Sequence, residues 1–119
     1  MKHLAYKKFG KGFPIVLIHG YLGGPLMWQF QIEALKDYEV ITPCLAGYAE
    51  SSLFKAPNTI NENAKLVLEL LNHLKINNFY LLGHSMGGMI VQEIAAMNIK
   101  KVEKLIWCWE MSQTYSIEI

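Results

Sequence analysis

The spacing of apolar and polar positions changes several times along this chain, and each change marks a predicted element. Short apolar runs bounded by glycine, proline, asparagine or lysine indicate β-strands rather than helices. Five such runs occur: the segment up to Lys8, Pro14–Ile18, Tyr38–Thr42, Phe79–Leu82 and Lys104–Trp109. The second run is apolar at every position after Pro14, which predicts a strand buried on both faces.

Three segments between these strands carry helical signals. Pro25 suits the first turn of a helix, which we expect to run through Trp28, Ile32 and Leu35. Thr59-Ile60-Asn61-Glu62 forms a capping box at the start of the second helix. Its apolar positions then fall on one helical face: Ile60, Ala64, Val67, Leu68, Leu71 and Leu74. A third helix, from Met86 to about Met97, is apolar on most sides and is therefore expected to be central.

The alternation of strands and helices predicts the fold class. It indicates an α/β domain with a mostly parallel sheet and helices on both faces. We assign residues 1–119 to a single domain. Residues 1–109 have the pattern of its core, whereas the tail of residues 110–119 follows no assignable pattern.

Composition narrows the possible partners. A hydrophobic content of 52% and a charged content of 18% are typical of a folded globular domain, not of a disordered segment. The net charge of +1 gives no electrostatic reason to expect nucleic acid or an anionic membrane as a partner. Cys44 and Cys108 lack metal-type spacing and are expected to be free thiols. Because no signal-like or membrane-spanning run occurs, we expect a soluble, cytoplasmic protein.

One pentapeptide carries the chemistry. Gly83-His84-Ser85-Met86-Gly87 spells G-x-S-x-G between a predicted strand and a predicted helix. In that context a tight turn lifts the serine hydroxyl above the end of the sheet. The turn requires small residues two positions before and after the serine, because larger side chains would collide there. The alternative is that Ser85 is an ordinary turn residue.

Three landmarks together resemble the N-terminal half of the α/β-hydrolase fold superfamily, over about residues 1–109. They are His19-Gly20 with the glycine-rich loop that follows, the loop Pro43–Ser52, and the elbow Gly83–Gly88. A Gly-His-Ser-x-Gly string also occurs in malonyl-type acyltransferases, but the upstream His-Gly loop favours the hydrolase.

The resemblance implies roles for individual residues. Ser85 would be the nucleophile, and the backbone N–H groups of Met86 and Tyr21 would form the oxyanion hole, with Leu22 as the alternative to Tyr21. Gly20, Gly83 and Gly87 would be the loop and elbow glycines. No cofactor and no metal are implied.

Other polar and aromatic side chains have two interpretations each. His84 and Trp28 are candidates for lining the pocket, although His84 could point away from the site and Trp28 could serve packing alone. His19 precedes the nucleophile, so a structural role in orienting the glycine loop is favoured over a role as base. His73 is expected to be a solvated residue on a helix surface.

Several features depart from the family pattern. Cys44 and Ala49 replace an aspartate and a glycine that are usual in the second loop. No histidine and no aspartate follow Ser85 in the sequence, and Glu110 is the one candidate acid placed after a late strand. We therefore expect a shortened and poorly active form, as a premature stop or frameshift in a longer gene would produce. Its last strand, over Leu105–Trp109, would then be an exposed edge and a route to self-association.

The function that the resemblance implies is hydrolysis of a small ester, lactone or acyl substrate by a serine nucleophile. One alternative is a non-catalytic domain that acts by association with another chain. The other is acyl transfer on the same fold.

Overall fold

A six-stranded mixed sheet forms the centre of the molecule. The computed structural model describes residues 3–20, 25–48, 51, 55, 57, 59–97, 100–110 and 113–118. The strands are β1 Tyr6–Phe9, β2 Pro14–Ile18, β3 Glu39–Pro43, β4 Phe79–His84, β5 Val102–Glu110 and β6 Gln113–Glu118. They lie in the order β1-β3-β2-β4-β5-β6. The four inner strands are parallel and the two outer strands are antiparallel to their neighbours, which confirms the predicted sheet.

The helices form in the three segments that the apolar spacing predicts. A 3-10 turn, Pro25–Trp28, leads into α1, Gln29–Ala34; the longer helices are α2, Ile60–His73, and α3, Met86–Met97. The N-cap of α2 is confirmed, because the Thr59 hydroxyl accepts a hydrogen bond of 3.1 Å from the backbone N–H of Glu62. Within the described part of the chain, none of the helices has the length and apolar character needed to cross a membrane.

Both faces of the inner strands are covered, as the unbroken apolar run of β2 predicts. Ile15 and Leu17 belong to a cluster with Trp28, on the side of α1. Val16 and Ile18 belong to the main core, which contains the apolar faces of α2 and α3. Successive side chains of a strand point to opposite faces, so a strand that is buried on both faces is apolar at every position.

The C-terminal part of the sheet differs from the sequence-based expectation. Residues 113–118 form β6, which pairs antiparallel with β5 from Lys104↔Glu118 to Glu110↔Gln113. The predicted exposed edge at Leu105–Trp109 is therefore wrong, because the backbone of β5 is paired on both sides. The proposed route to self-association through that strand loses its basis. The tail does carry a short strand signal that the sequence interpretation missed, because Tyr115 and Ile117 alternate with polar residues.

The topology brings two loops to the same edge of the sheet. β2 and β4 are parallel neighbours, and Ile18 at the end of β2 lies opposite Gly83 in β4. Their carboxyl ends therefore open side by side, and this is where ligands of open α/β sheets bind.

Candidate active site

Ser85 occupies a strained turn between β4 and α3. Its φ of 55° lies in the left-handed region, which costs a non-glycine residue about 1–3 kcal/mol. Lys75 is the other described non-glycine residue with positive φ, and it is explained by the end of α2, where Ile76 N–H donates to Leu71 O. No such helix ending explains Ser85. Strain that persists at a polar residue in a sharp turn is a reason to propose a function for that residue.

The glycines around Ser85 are required by close backbone packing. A Cβ atom on Gly83 would lie 2.2 Å from the carbonyl oxygen of Gly87, and one on Gly87 would lie 2.1 Å from that of Ile18. The prediction that both positions must be small is thus confirmed. Gly88 has a similar function, because a Cβ there would fall within the indole ring of Trp107. The hydrogen bond from Gly88 N–H to Ser85 O, 2.8 Å long, closes the turn.

Gly20 brings the end of β2 against this elbow. A Cβ at Gly20 would be 3.2 Å from Ser85 Cβ, 3.0 Å from His84 O and 3.3 Å from His84 Nδ1. The chain after Gly20 therefore starts beside the serine, as an oxyanion loop would have to. Tyr21, the predicted second donor of that loop, lies outside the described residues.

Met86, the other predicted donor, is the first residue of α3. The first N–H groups of a helix have no acceptor within it and are free for a ligand. The positive end of the helix dipole lies at the same place, which favours a developing negative charge. The geometry at Met86 thus suits an oxyanion.

His19 is buried and hydrogen-bonded to the backbone of two loops, which confirms its structural role. Its Nε2 accepts a hydrogen bond of 3.0 Å from Leu45 N–H, and its Nδ1 lies 2.8 Å from Gly20 O. Since Nε2 accepts, the proton must be on Nδ1, and the ring is neutral with that tautomer. Burial lowers the pKa of His19 below its ordinary value of 6.5, and the hydrogen bond to Gly20 O partly opposes this. Both ring nitrogens are engaged, so His19 has none left to serve as a base.

Hydrogen bonds of Ser51 and Cys44 hold the second loop in place, and the sequence interpretation assigned no role to Ser51. Ser51 is fully buried, and its hydroxyl accepts a hydrogen bond of 2.9 Å from Ala5 N–H. Its backbone N–H donates to Tyr48 O, and the Tyr48 ring meets the His19 ring edge-on at 4.9 Å. Cys44, which replaces the usual aspartate, is buried and its thiol also donates to Tyr48 O. The sequence offered one signal for Ser51, its place at the end of a glycine-containing loop. Only the fold shows that its hydrogen-bond partner is Ala5.

The remaining candidates are placed as follows. His84 is half-buried beside Gly20, and its Nδ1 is buried without a hydrogen-bond partner. Trp28 is 1% exposed, and its side chain packs in the apolar cluster on the side of α1. His73 is exposed and stacks on His3. Glu110 is the last residue of β5.

The elbow brings a serine, three glycines and a helix N-terminus together. Across the described residues, no side-chain hydrogen bond reaches the Ser85 hydroxyl. In the same part of the chain, no group of three His, Cys, Asp or Glu side chains could hold a metal ion.

Comparisons with known proteins agree with this geometry. The α/β-hydrolase fold family model matches residues 14–108. The acetyltransferase component of an acetoin cleaving system from Pseudomonas putida is 37% identical over 95 residues, 79% of this chain and 26% of that protein. A thermophilic esterase structure from Thermogutta terrifontis has a TM-score of 0.82 and 34% identity, over 88% of this chain and 39% of the esterase.

An enol-lactonase structure from Burkholderia xenovorans has a TM-score of 0.80 and 30% identity, over 86% of this chain and 41% of the lactonase. The chain therefore spans between a quarter and two fifths of the length of these relatives. Other relatives are named as carbamate and epoxide hydrolases. The family match covers most of the chain and coincides with the strained serine elbow, so this protein belongs to the α/β-hydrolase fold family.

Proposed function

We propose that Ser85 is the nucleophile of a hydrolase that acts on small ester, lactone or other acyl substrates. The observation that carries this proposal is the strained φ of 55° at Ser85, enforced by glycines that contact backbone on both sides. Related proteins named as an esterase and an enol-lactonase support the substrate class. The serine hydroxyl would attack the carbonyl carbon, and the acyl group would pass from the substrate's leaving oxygen to Ser85 Oγ.

The oxyanion of the tetrahedral intermediate needs donors that are already in place. We propose the N–H of Met86 as one donor and the N–H of Tyr21, or else Leu22, as the other. Loss of one such donor commonly costs about 3–4 kcal/mol of transition-state stabilisation. Gly20 supports this arrangement because it allows the loop after β2 to begin in contact with the elbow.

A serine hydroxyl is a poor nucleophile without a base, and among the described residues no side chain is hydrogen-bonded to the Ser85 hydroxyl. No histidine or aspartate follows Ser85, and both nitrogens of His19 are engaged. Removal of a triad member leaves at most ~10³–10⁴-fold catalysis over water. We therefore propose that residues 1–119 alone turn over esters negligibly. A second class of function then follows, in which the domain is non-catalytic and associates with another chain.

Acyl transfer is the other candidate, and the Pseudomonas putida relative favours it because that protein is named as an acetyltransferase component. Both reactions share the attack by Ser85 and differ in the acceptor that takes the acyl group, water or a second substrate. A small-molecule ester-like substrate serves either reaction. From the sequence we further propose a cytoplasmic location, with no nucleic-acid or membrane partner.

The decisive experiment is labelling with a fluorophosphonate probe. An activated serine oxygen bonds to the phosphorus of the probe, the P–F bond breaks to release fluoride, and the hydroxyl proton passes to the base. Residues 1–119 and the Ser85→Ala variant would be incubated with the probe and analysed by intact mass. We expect little labelling in buffer and accelerated labelling when imidazole is added as an external base. The acceleration should be absent in Ser85→Ala. Equal labelling of both proteins would refute Ser85 as the nucleophile.

The same samples separate the alternatives. Fast labelling in buffer alone would show that a base is supplied after all, and ester turnover with and without a thiol acceptor would then distinguish hydrolysis from acyl transfer. No labelling with imidazole, in a sample shown to be folded by circular dichroism, would favour the non-catalytic domain.

A further inference from the structure

A cavity lies at the opposite end of β4 from the elbow, and the proposed function does not use it. Its volume is about 280 Å³. Phe79, the first residue of β4, lines the cavity, whereas Ser85 follows the last residue of that strand. At about 3.3 Å per residue, the strand separates the two places by roughly 20 Å. The geometry points to a second binding site, which takes a free α-amino acid with an apolar side chain.

The floor of the cavity is apolar and is held in place by backbone hydrogen bonds. It is formed by Leu71, Ile76 and Phe79, which belong to the main core. Ile76 N–H donates to Leu71 O over 3.0 Å, and Phe79 N–H donates to Lys101 O over 3.1 Å. These bonds fix the end of α2 and the segment before β5 next to the start of β4. An entering side chain therefore meets a surface that is already formed.

The rim of the cavity carries two opposite charges that do not pair with each other. Glu69 and Lys101 both line the cavity, and both are exposed. In the part of the chain that the structure describes, neither side chain takes part in an ion pair or a side-chain hydrogen bond. Asn72, about one turn after Glu69 on α2, adds an amide to the rim. The gap between the two charges leaves room for a ligand that brings a partner for each.

A zwitterion complements this rim. The α-ammonium group of an amino acid would donate to the Glu69 carboxylate, and its α-carboxylate would accept from the Lys101 ammonium group. The Asn72 amide has both a donor and an acceptor, so it can bind either end of the ligand. A ligand with a single charge would leave one of the two charged side chains without a partner. Because both charged side chains are long and exposed, they can adjust around the ligand by rotation about single bonds.

The size of the cavity favours a small apolar side chain. Drug-sized ligands occupy pockets of about 300–1,000 Å³, and this cavity is slightly smaller, roughly 6–7 Å across. A side chain of the size of leucine would lie over Leu71, Ile76 and Phe79 while its charged groups stay at the rim. Water and salt screen the exposed charges, so we expect a dissociation constant of about 1 mM for L-leucine.

The test is titration of isotope-labelled residues 1–119 with four probes, followed by backbone amide chemical shifts. The probes are L-leucine, isocaproate, which lacks the ammonium group, isoamylamine, which lacks the carboxylate, and glycine, which lacks the apolar side chain. L-leucine should give saturable shifts at Ile76 and Phe79. Isocaproate and isoamylamine should each bind about threefold to fivefold more weakly than L-leucine. Glycine should bind at least about tenfold more weakly.

Two variants assign the two charges of the ligand to their partners. In Glu69→Gln, L-leucine should bind no better than isocaproate, because the ammonium group has lost its partner. In Lys101→Gln, L-leucine should likewise bind no better than isoamylamine. Both positions are exposed, so both variants are expected to fold. Glu33→Gln and Lys65→Gln, at exposed positions outside the cavity lining, are the matched controls and should bind as the parent chain does.

A further variant separates this site from the elbow. Ser85→Ala should bind L-leucine as the parent chain does, so the outcome here is independent of whether Ser85 is a nucleophile. Three results would overturn the proposal: isocaproate binding as tightly as L-leucine in the parent chain, an unchanged preference for L-leucine in Glu69→Gln, or no saturable shifts up to about 20 mM L-leucine.

Discussion

Replacing Gly87 by alanine tests whether the elbow is set by backbone contact. The added Cβ would lie 2.1 Å from Ile18 O and 2.8 Å from His19 O, whereas real Cβ atoms essentially never approach closer than 3.0 Å. The obstacle is a main-chain carbonyl at the end of β2, a strand paired with β3 and β4. No side-chain rotation can relieve it. The N-terminus of α3 would have to move away from the sheet by about 1 Å.

Two opposing terms determine the magnitude of this effect. Forcing an extra methyl group into a packed site costs typically about 1–3 kcal/mol, and contact with fixed backbone puts Gly87 at the upper end. Alanine is favoured over glycine inside a helix by about 1 kcal/mol. The net expectation is a loss of about 2 kcal/mol in the free energy of unfolding. With an unfolding entropy of about 2.1 cal/mol/K per residue, this lowers the melting temperature by about 8 °C.

The assay is a thermal melt followed by far-UV circular dichroism, with Gly20→Ala as the comparison. A Cβ on Gly20 would meet its neighbours at 3.0–3.3 Å, so a shift of a few tenths of an ångström accommodates it. We expect a clearly smaller drop for that variant. If Gly87→Ala melts at or above the parent temperature, helix propensity outweighs the contact and the reasoning is refuted.

Two further predictions concern the residues that fasten the neighbouring loops. Burial lowers the pKa of the His19 imidazole below its ordinary value of 6.5. As the pH falls, this ring is therefore protonated in the unfolded chain before it is protonated in the folded protein. The contribution of neutral His19 to the free energy of unfolding is complete above pH 6.5 and is lost as the pH falls through the folded-state pKa. Urea unfolding at several pH values should show a shallower decline in His19→Gln than in the parent chain, and parallel curves would contradict this. Ser51→Ala removes the buried hydroxyl that accepts from the half-buried N–H of Ala5, which should cost about 1 kcal/mol in the free energy of unfolding, measured with urea. A change below about 0.5 kcal/mol would show that the hydrogen bond is replaceable.

The apolar spacing predicted most of the elements; Pro14–Ile18 and Met86–Met97 agree at both ends, and the ends of the other strands differ by at most two residues where both were predicted. The predicted strand Tyr38–Thr42 is observed as Glu39–Pro43, and Lys104–Trp109 as Val102–Glu110. The tail was not predicted, although β6, Gln113–Glu118, carries a short alternation in which Tyr115 and Ile117 are flanked by polar residues. This signal is only a few residues long, and the strand forms by pairing with the backbone of β5.

Some features of the candidate site likewise follow from the sequence, whereas others depend on contacts that only the fold brings about. The small residues around Ser85 follow from the motif alone, since any strand-turn-helix with this tight geometry excludes side chains there. The neutral tautomer of His19 does not follow from the sequence alone, because it depends on a hydrogen bond from Leu45, which is 26 positions away in the sequence. The burial of Ser51 likewise depends on Ala5, which is 46 positions away.

By itself the sequence determined the local features: which runs become strand or helix, where α2 is capped, and that the turn at Ser85 must be flanked by glycine. These depend on sterics and hydrogen bonds between residues close together in the chain, so a short window contains the information. Tertiary structure alone decided that β5 is an inner strand, that His19 is locked between two loops, and that His3 lies against His73. Each of these is a contact between distant segments, and its partner exists only once the sheet has assembled.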